Sequence, residues 1–169
     1  MELLFDEGEV MSRGGHPFVL IAEDVQNDVE LLQRSFSQAG IAVVTEVVGD
    51  GEECIDYLAG RGKFVNRDEY PLPDLLLLDL KMPRANGFDV LTWIREQSTL
   101  SSLRVVVLTS SERIPDINRA YELGANSFLT KPLNFTDFTN TIRVVLKYWL
   151  EQSKQPEVER PGFTKTETV

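Results

Sequence analysis

The chain has 169 residues and a formal net charge of −10. That length fits one domain, able to bury roughly 70% of its unfolded surface, so folding requires no metal or disulfide staple. The acidity argues against a chain that grips nucleic acid or anionic lipid by itself, and the single cysteine, Cys54, excludes an internal disulfide and suits a reducing compartment.

Met1 to Gly15 carries Glu2, Asp6, Glu7 and Glu9 without a basic start or a long apolar run, so it does not read as a signal peptide. A flexible segment is expected over 1–16. Phe18 to Ala22 is a short apolar run, a strand, that ends in Glu23-Asp24. Asn27 to Ala39 then has helical spacing, with Val29, Leu32, Phe36 and Ala39 on one face and Gly40 as its stop. Ile41 to Val48 is β-branched, Gly49-Asp50-Gly51 is a turn, and Glu52 to Gly60 reads as a helix with Ile55, Leu58 and Ala59 inward.

Arg61 to Pro73 is polar and contains two prolines, so it reads as a loop. Asp74 to Asp79 is apolar on both faces. Pro83 to Asn86 is a turn, and Gly87 to Gln97 is a helix carrying Val90, Leu91 and Ile94. Arg104 to Leu108 is a fourth strand. The helix after it has Pro115 in its first turn and ends near Leu123-Gly124. Ser127 to Thr130 is a fifth strand, and Asn134 to about Gln152 is the last helix. The tail over 153–169 holds two prolines and mixed charges, and is expected to be disordered. No segment approaches the ~20 apolar residues that span a bilayer.

Strands and helices thus alternate over the whole domain, 17–152. Strands apolar on both faces imply an α/β fold, a parallel sheet covered by helices. In such sheets ligands bind beyond the carboxyl ends of the strands. Those ends are Glu23-Asp24, Asp79, Thr109-Ser110 and Thr130-Lys131-Pro132. An acid after a strand is usually a turn or capping residue. Asp79, however, precedes its helix by several residues and is poorly placed to cap it.

Three acids, a hydroxyl and a lysine therefore fall on one edge. Carboxylates this close repel one another unless a cation lies between them. Oxygen-only ligands favour a hard ion such as Mg²⁺. Such a site suits phosphoryl transfer, with Asp79 as a carboxylate nucleophile and Lys131 pairing with its charge.

These stretches resemble the response-regulator receiver domains of two-component signalling: FVLIAED (18–24), GDGEECIDYL (49–58), PDLLLLDLKMPRANGFDVL (73–91), VVVLTSSE (105–112) and ELGANSFLTKPLN (122–134). The resemblance runs from about Pro17 to Leu150. It implies a flavodoxin-like doubly wound sheet of five parallel strands, in the order 2-1-3-4-5, with five helices. It further implies that Asp79 accepts a phosphoryl group from a histidine kinase. Glu23, Asp24, Asp79 and the backbone carbonyl of Lys81 would hold Mg²⁺, and Lys131 would contact the phosphoryl group. Thr109 would be the switch hydroxyl and Phe128 the aromatic switch residue, and Lys131-Pro132 is expected to be a cis peptide.

Glu23 departs from the Asp more usual in that place, and its longer arm suggests reach through water. In the family, the positions of Lys81 and Ser111 influence phosphate lifetime. The long loop Arg61 to Leu72, with Tyr57-Leu58 and the Lys147 to Leu150 helix end, is similar to stand-alone regulators paired with phytochrome-type kinases.

No output domain is expected after Leu150, so output would come from binding or from relay to a histidine phosphotransfer protein. The last helix is apolar at Phe138, Ile142, Val145 and Trp149, and also at Val144, Leu146, Tyr148 and Leu150. That breadth leads to the expectation of a homodimer through this helix. An enzyme in the ordinary sense is not expected, and the protein is expected in the cytoplasm. The only histidine, His16, lies beside the flexible start, which leaves no Ser-His-Asp or Cys-His set.

The main alternative is a scaffold of the same fold that is never phosphorylated, but such a scaffold would be expected to lack one of the site residues. A haloacid-dehalogenase-type phosphatase wants a second Asp where Lys81 stands. A flavodoxin-like electron carrier would be repelled from flavin phosphate by Glu23-Asp24.

Overall fold

The computed structural model of the protein describes residues 15–154. The start and tail expected to be flexible, 1–16 and 153–169, lie almost wholly outside the described residues. Five strands form one parallel sheet: β1 (Phe18–Ala22), β2 (Val44–Val48), β3 (Leu75–Leu78), β4 (Arg104–Thr109) and β5 (Ser127–Thr130). Their spatial order is β2-β1-β3-β4-β5, as the resemblance implied. Five helices connect or follow them: α1 (Gln26–Ala39), α2 (Gly51–Ala59), α3 (Gly87–Glu96), α4 (Ile114–Glu122) and α5 (Phe135–Leu146).

β1, β3 and β4 are buried along their whole length, which is why their sequences are apolar without alternation. Alternate residues serve two cores. Leu20, Leu76, Leu78, Val105 and Val107 face the side covered by α2, α3 and α4. Val19, Ile21, Leu75, Leu77, Val106 and Leu108 face α1 and α5. The edge strands β2 and β5 are mostly half-buried.

Several expected boundaries move. β2 starts at Val44 rather than Ile41, because its first register partner is Phe18 and residues 41–43 precede the ladder. In α2 the inward face is Cys54, Tyr57 and Leu58; Ala59 is exposed because it lies on the opposite side of the last turn. The 61–73 loop contains a 3-10 turn, Gly62–Phe64, whose Phe64 ring lies 4.9 Å from Tyr57 and 5.1 Å from Tyr70. α5 stops at Leu146 and continues as a π-helical stretch, Lys147–Gln152. Nearby, the buried Arg104 donates to the carbonyls of Trp149 and Ser153.

Among the described residues no peptide bond is cis, so Lys131-Pro132 is trans, contrary to expectation. Trans is the intrinsically favoured isomer by about 0.5–1 kcal/mol, and Lys131 reaches the acids without the cis linkage. Among the described residues no helix is long and apolar enough to cross a membrane.

Candidate functional site

The strand order reverses between β1 and β3, and a crevice at the carboxyl ends of the strands is expected at such a switch point. Glu23 and Asp24 follow β1 directly, and Asp79 follows β3. Backbone bonds fix these ends in register. Glu23 N–H donates to Val48 C=O at 3.0 Å, Asp79 N–H to Ala22 C=O at 3.1 Å, and Lys131 N–H to Thr109 C=O at 2.8 Å. The sheet ladder itself therefore aligns all four site segments.

Gly87 brings the start of α3 against the end of β3. A Cβ there would collide with the Asp79 carbonyl oxygen and lie 2.8 Å from the Leu80 Cα. Asn86 caps α3 through a reciprocal capping box with Asp89, which fixes where the 79–86 loop must end.

Glu23, Asp24 and Asp79 each offer a carboxylate oxygen, and the three lie within 4.8 Å of one another. Glu23 and Asp79 are buried, whereas Asp24 is exposed. Opposite oxygens around an octahedral Mg²⁺ are about 4.2 Å apart, given Mg–O distances of about 2.1 Å. The hard oxygen donor set and its spacing thus fit that ion after a small closure. The exposed Asp24 leaves one side open to water, which Mg²⁺ retains readily.

Lys131 crosses this cluster. Its Nζ donates to Glu23 Oε2 at 2.6 Å, to Asp28 Oδ2 at 2.8 Å and to Asp79 Oδ2 at 3.4 Å. Burial works against the ammonium charge, but the hydrogen bonds to Asp28 and Glu23 outweigh it and hold its pKa above that of a free lysine. Burial pushes the Glu23 carboxyl up, an effect that Lys131 only partly opposes. Glu23 also accepts the Val25 N–H through its other oxygen, at 3.0 Å.

The remaining candidates are more separate. Thr109 is fully buried at the end of β4, and its hydroxyl oxygen accepts the Ser111 N–H at 3.4 Å. Ser111, also buried, donates its hydroxyl to Asp116 in the first turn of α4 at 2.6 Å. Phe128 is half-buried on β5, in register with Val107, and its N–H donates to the Tyr121 hydroxyl. The Lys81 side chain is exposed and its N–H donates to Asp79 Oδ1 at 3.4 Å. His16 is exposed at the described start of the chain.

Sequence reasoning missed Asp28. The available signal was an acid in the first turn of α1, four residues after Asp24 and on the helix that leaves the same sheet edge.

A family model for the response regulator receiver domain matches residues 19–143. The chain belongs to that family. It is 33% identical over 138 residues to response regulator Rcp1 of Synechocystis, covering 82% of this chain and 92% of that protein. It is 34% identical over 154 residues to the probable methanogenesis regulatory protein FilR2 of Methanothrix harundinacea, covering 89% and 95% of the two.

Among solved structures, a response regulator in red light signaling of R. palustris shares 37% identity with a TM-score of 0.79, covering 84% of this chain and 99% of that one. The phosphorylated cyanobacterial phytochrome response regulator RcpA gives 31% and 0.78, covering 84% and 99%. The Mn²⁺-bound form of Rcp1 gives 31% and 0.75, covering 83% and 99%.

Proposed function

We propose that this response regulator accepts a phosphoryl group on Asp79 from a histidine kinase, in an Mg²⁺-dependent step. The observation that carries this reading is the convergence of Glu23, Asp24, Asp79 and Lys131 at the switch point of the sheet. Glu23, Asp24, Asp79 and the Lys81 carbonyl would hold Mg²⁺, which when bound would neutralise charge on an incoming phosphoryl group. An Asp79 carboxylate oxygen attacks phosphorus. An O–P bond forms as the donor's N–P bond breaks, and the departing imidazole nitrogen keeps the electron pair. Lys131 offsets the charge on the phosphoaspartate. Positioning by the ladder and by Lys131 supplies the catalysis, so the chain is a phosphotransfer partner and no general hydrolase. The phosphorylated RcpA and Mn²⁺-bound Rcp1 relatives support this reading by likeness.

Thr109 and Phe128 are proposed to carry the change outward. Thr109 lies one strand from Asp79 and is tied through Ser111 to α4. The likeness to phytochrome-linked regulators makes a phytochrome-type kinase the favoured phosphodonor in the cytoplasm, with a histidine phosphotransfer protein as a candidate recipient. Val144 and Tyr148 on the last helix are 68% and 51% exposed, which supports a homodimer through that face. The protein's mass in solution, with and without phosphorylation, tests it; a monomer in both states excludes it.

The phosphorylation test is intact mass after incubation with acetyl phosphate, with and without Mg²⁺. One phosphate adduct that needs Mg²⁺ and is absent from Asp79→Asn is expected. An adduct of equal yield on Asp79→Asn would overturn the site. The alternative of a non-phosphorylated scaffold predicts no adduct from either acetyl phosphate or a kinase.

A further inference from the structure

Lys131 is shared among three acids and does not rest on Asp79 alone. Its ammonium is closer to Glu23 and to Asp28 than to the acceptor carboxylate, at 2.6, 2.8 and 3.4 Å. Glu23 and Asp79 are two of the three acids whose oxygens converge, so the lysine occupies part of the charge that a divalent cation would use. Asp28 stands outside that trio. It lies in the first turn of α1, where the helix N-terminus favours an anion. Its side chain is 34% exposed, against 3% for Glu23 and 7% for Asp79, so it bears its charge at lower desolvation cost than either. The Val25 N–H at the start of α1 donates to Glu23 Oε1, not to Asp28, so the Asp28 carboxylate is left to Lys131.

We propose that Asp28 is a positioning residue for Lys131, holding its ammonium when Glu23 turns its carboxylate to a divalent cation. The Lys131 side chain is only 11% exposed and needs a partner at every stage. With Asp28 present, surrendering Glu23 leaves the lysine still paired. Without Asp28 the lysine has only the two buried acids, and it competes with the cation for both. Asp28 thus favours cation binding through the lysine, although it is not itself a ligand. The inference rests on the Mg²⁺-dependent reading of the site.

The test is Mg²⁺ titration by calorimetry on the full chain: wild type, Asp28→Asn, Asp28→Glu, Lys131→Ala and the double variant Asp28→Asn/Lys131→Ala. Asp28→Asn is expected to weaken Mg²⁺ binding by about tenfold, the lower end for a residue supporting metal ligands. Asp28→Glu is expected to recover most of the loss. In the Lys131→Ala background, removing Asp28 is expected to change affinity by less than about twofold, because the competing ammonium is gone. Unchanged affinity in Asp28→Asn would overturn the inference while leaving the acceptor site standing. An equally large loss in the Lys131→Ala background would also overturn it, since Asp28 would then act as a bare charge. A wild type that binds no Mg²⁺ and takes no phosphate would overturn the proposed function and this inference together.

Discussion

Arg84 forms an ion pair with Asp50, joining the loop after β3 to the start of α2. Asp50 serves both partners at once: one carboxylate oxygen accepts the Glu53 N–H at 2.8 Å and caps α2, and the other meets the guanidinium. Arg84 has a left-handed backbone, with φ of 64°, a conformation costing a non-glycine residue about 1–2 kcal/mol. The 79–86 loop that carries the candidate acceptor is therefore tied down at its middle as well as at its ends.

This arrangement orders a set of variants. Asp50→Asn keeps an oxygen for the cap and loses only the ion pair, which involves an exposed arginine. It should cost less than about 1 kcal/mol. Asp50→Ala loses the cap too and should cost about 1–2 kcal/mol. Arg84→Ala should be less stable than Arg84→Gly by about 1 kcal/mol, because glycine tolerates the left-handed backbone. Urea unfolding of the four variants measures both differences, and equal stability of the two Arg84 variants would contradict the strain argument.

Gly87→Ala should act on fold and site together. Its Cβ would meet the Asp79 carbonyl and the Leu80 backbone, neither of which can swing aside. About 1–3 kcal/mol of stability should be lost, along with much of the acetyl phosphate adduct, because relief must come from moving the Asp79 segment. A variant of reduced stability that is phosphorylated at the wild-type rate would separate the two effects.

Arg67 anchors the long loop between α2 and β3. It donates to the carbonyls of Tyr57 at 2.8 Å, Leu58 at 2.7 Å and Tyr70 at 3.1 Å, serving the open C-terminus of α2. Burial pulls the guanidinium pKa down, yet an arginine stays charged at neutral pH. Arg67→Ala should cost about 2–3 kcal/mol. Arg67→Lys should fall between, because one ammonium cannot reproduce the planar fork. Thermal unfolding of the pair tests this order.

Cys54 should be silent toward thiol reagents. It is fully buried in α2, and burial drives its thiol pKa well above the usual range. Reaction with a chromogenic disulfide should be negligible in buffer and complete in denaturant, because only the exposed thiolate attacks. Fast labelling under native conditions would show that α2 opens readily.

Much of this protein is legible along the chain. Three short apolar runs mark β1, β3 and β4, a β-branched run marks β2, and Val90, Leu91 and Ile94 mark the inner face of α3. Glu23, Asp24, Asp79, Thr109 and Lys131 could be placed on one sheet edge because parallel topology sends every strand's carboxyl end the same way. Those signals are local or periodic, or they follow from a general rule of connection.

What only the tertiary structure decided are pairings between distant residues that no period encodes. Asp28 meets Lys131 across 103 positions, Arg104 reaches Trp149 across 45, and Arg84 finds Asp50 across 34. Each pairs a charged side chain in one segment with a polar group in another. Its existence depends on which helices flank which strands, so neither segment carries the information alone. The resting place of Lys131, closer to Glu23 and Asp28 than to Asp79, is likewise a balance of three distances. It exists only once α1, β3 and β5 are packed together.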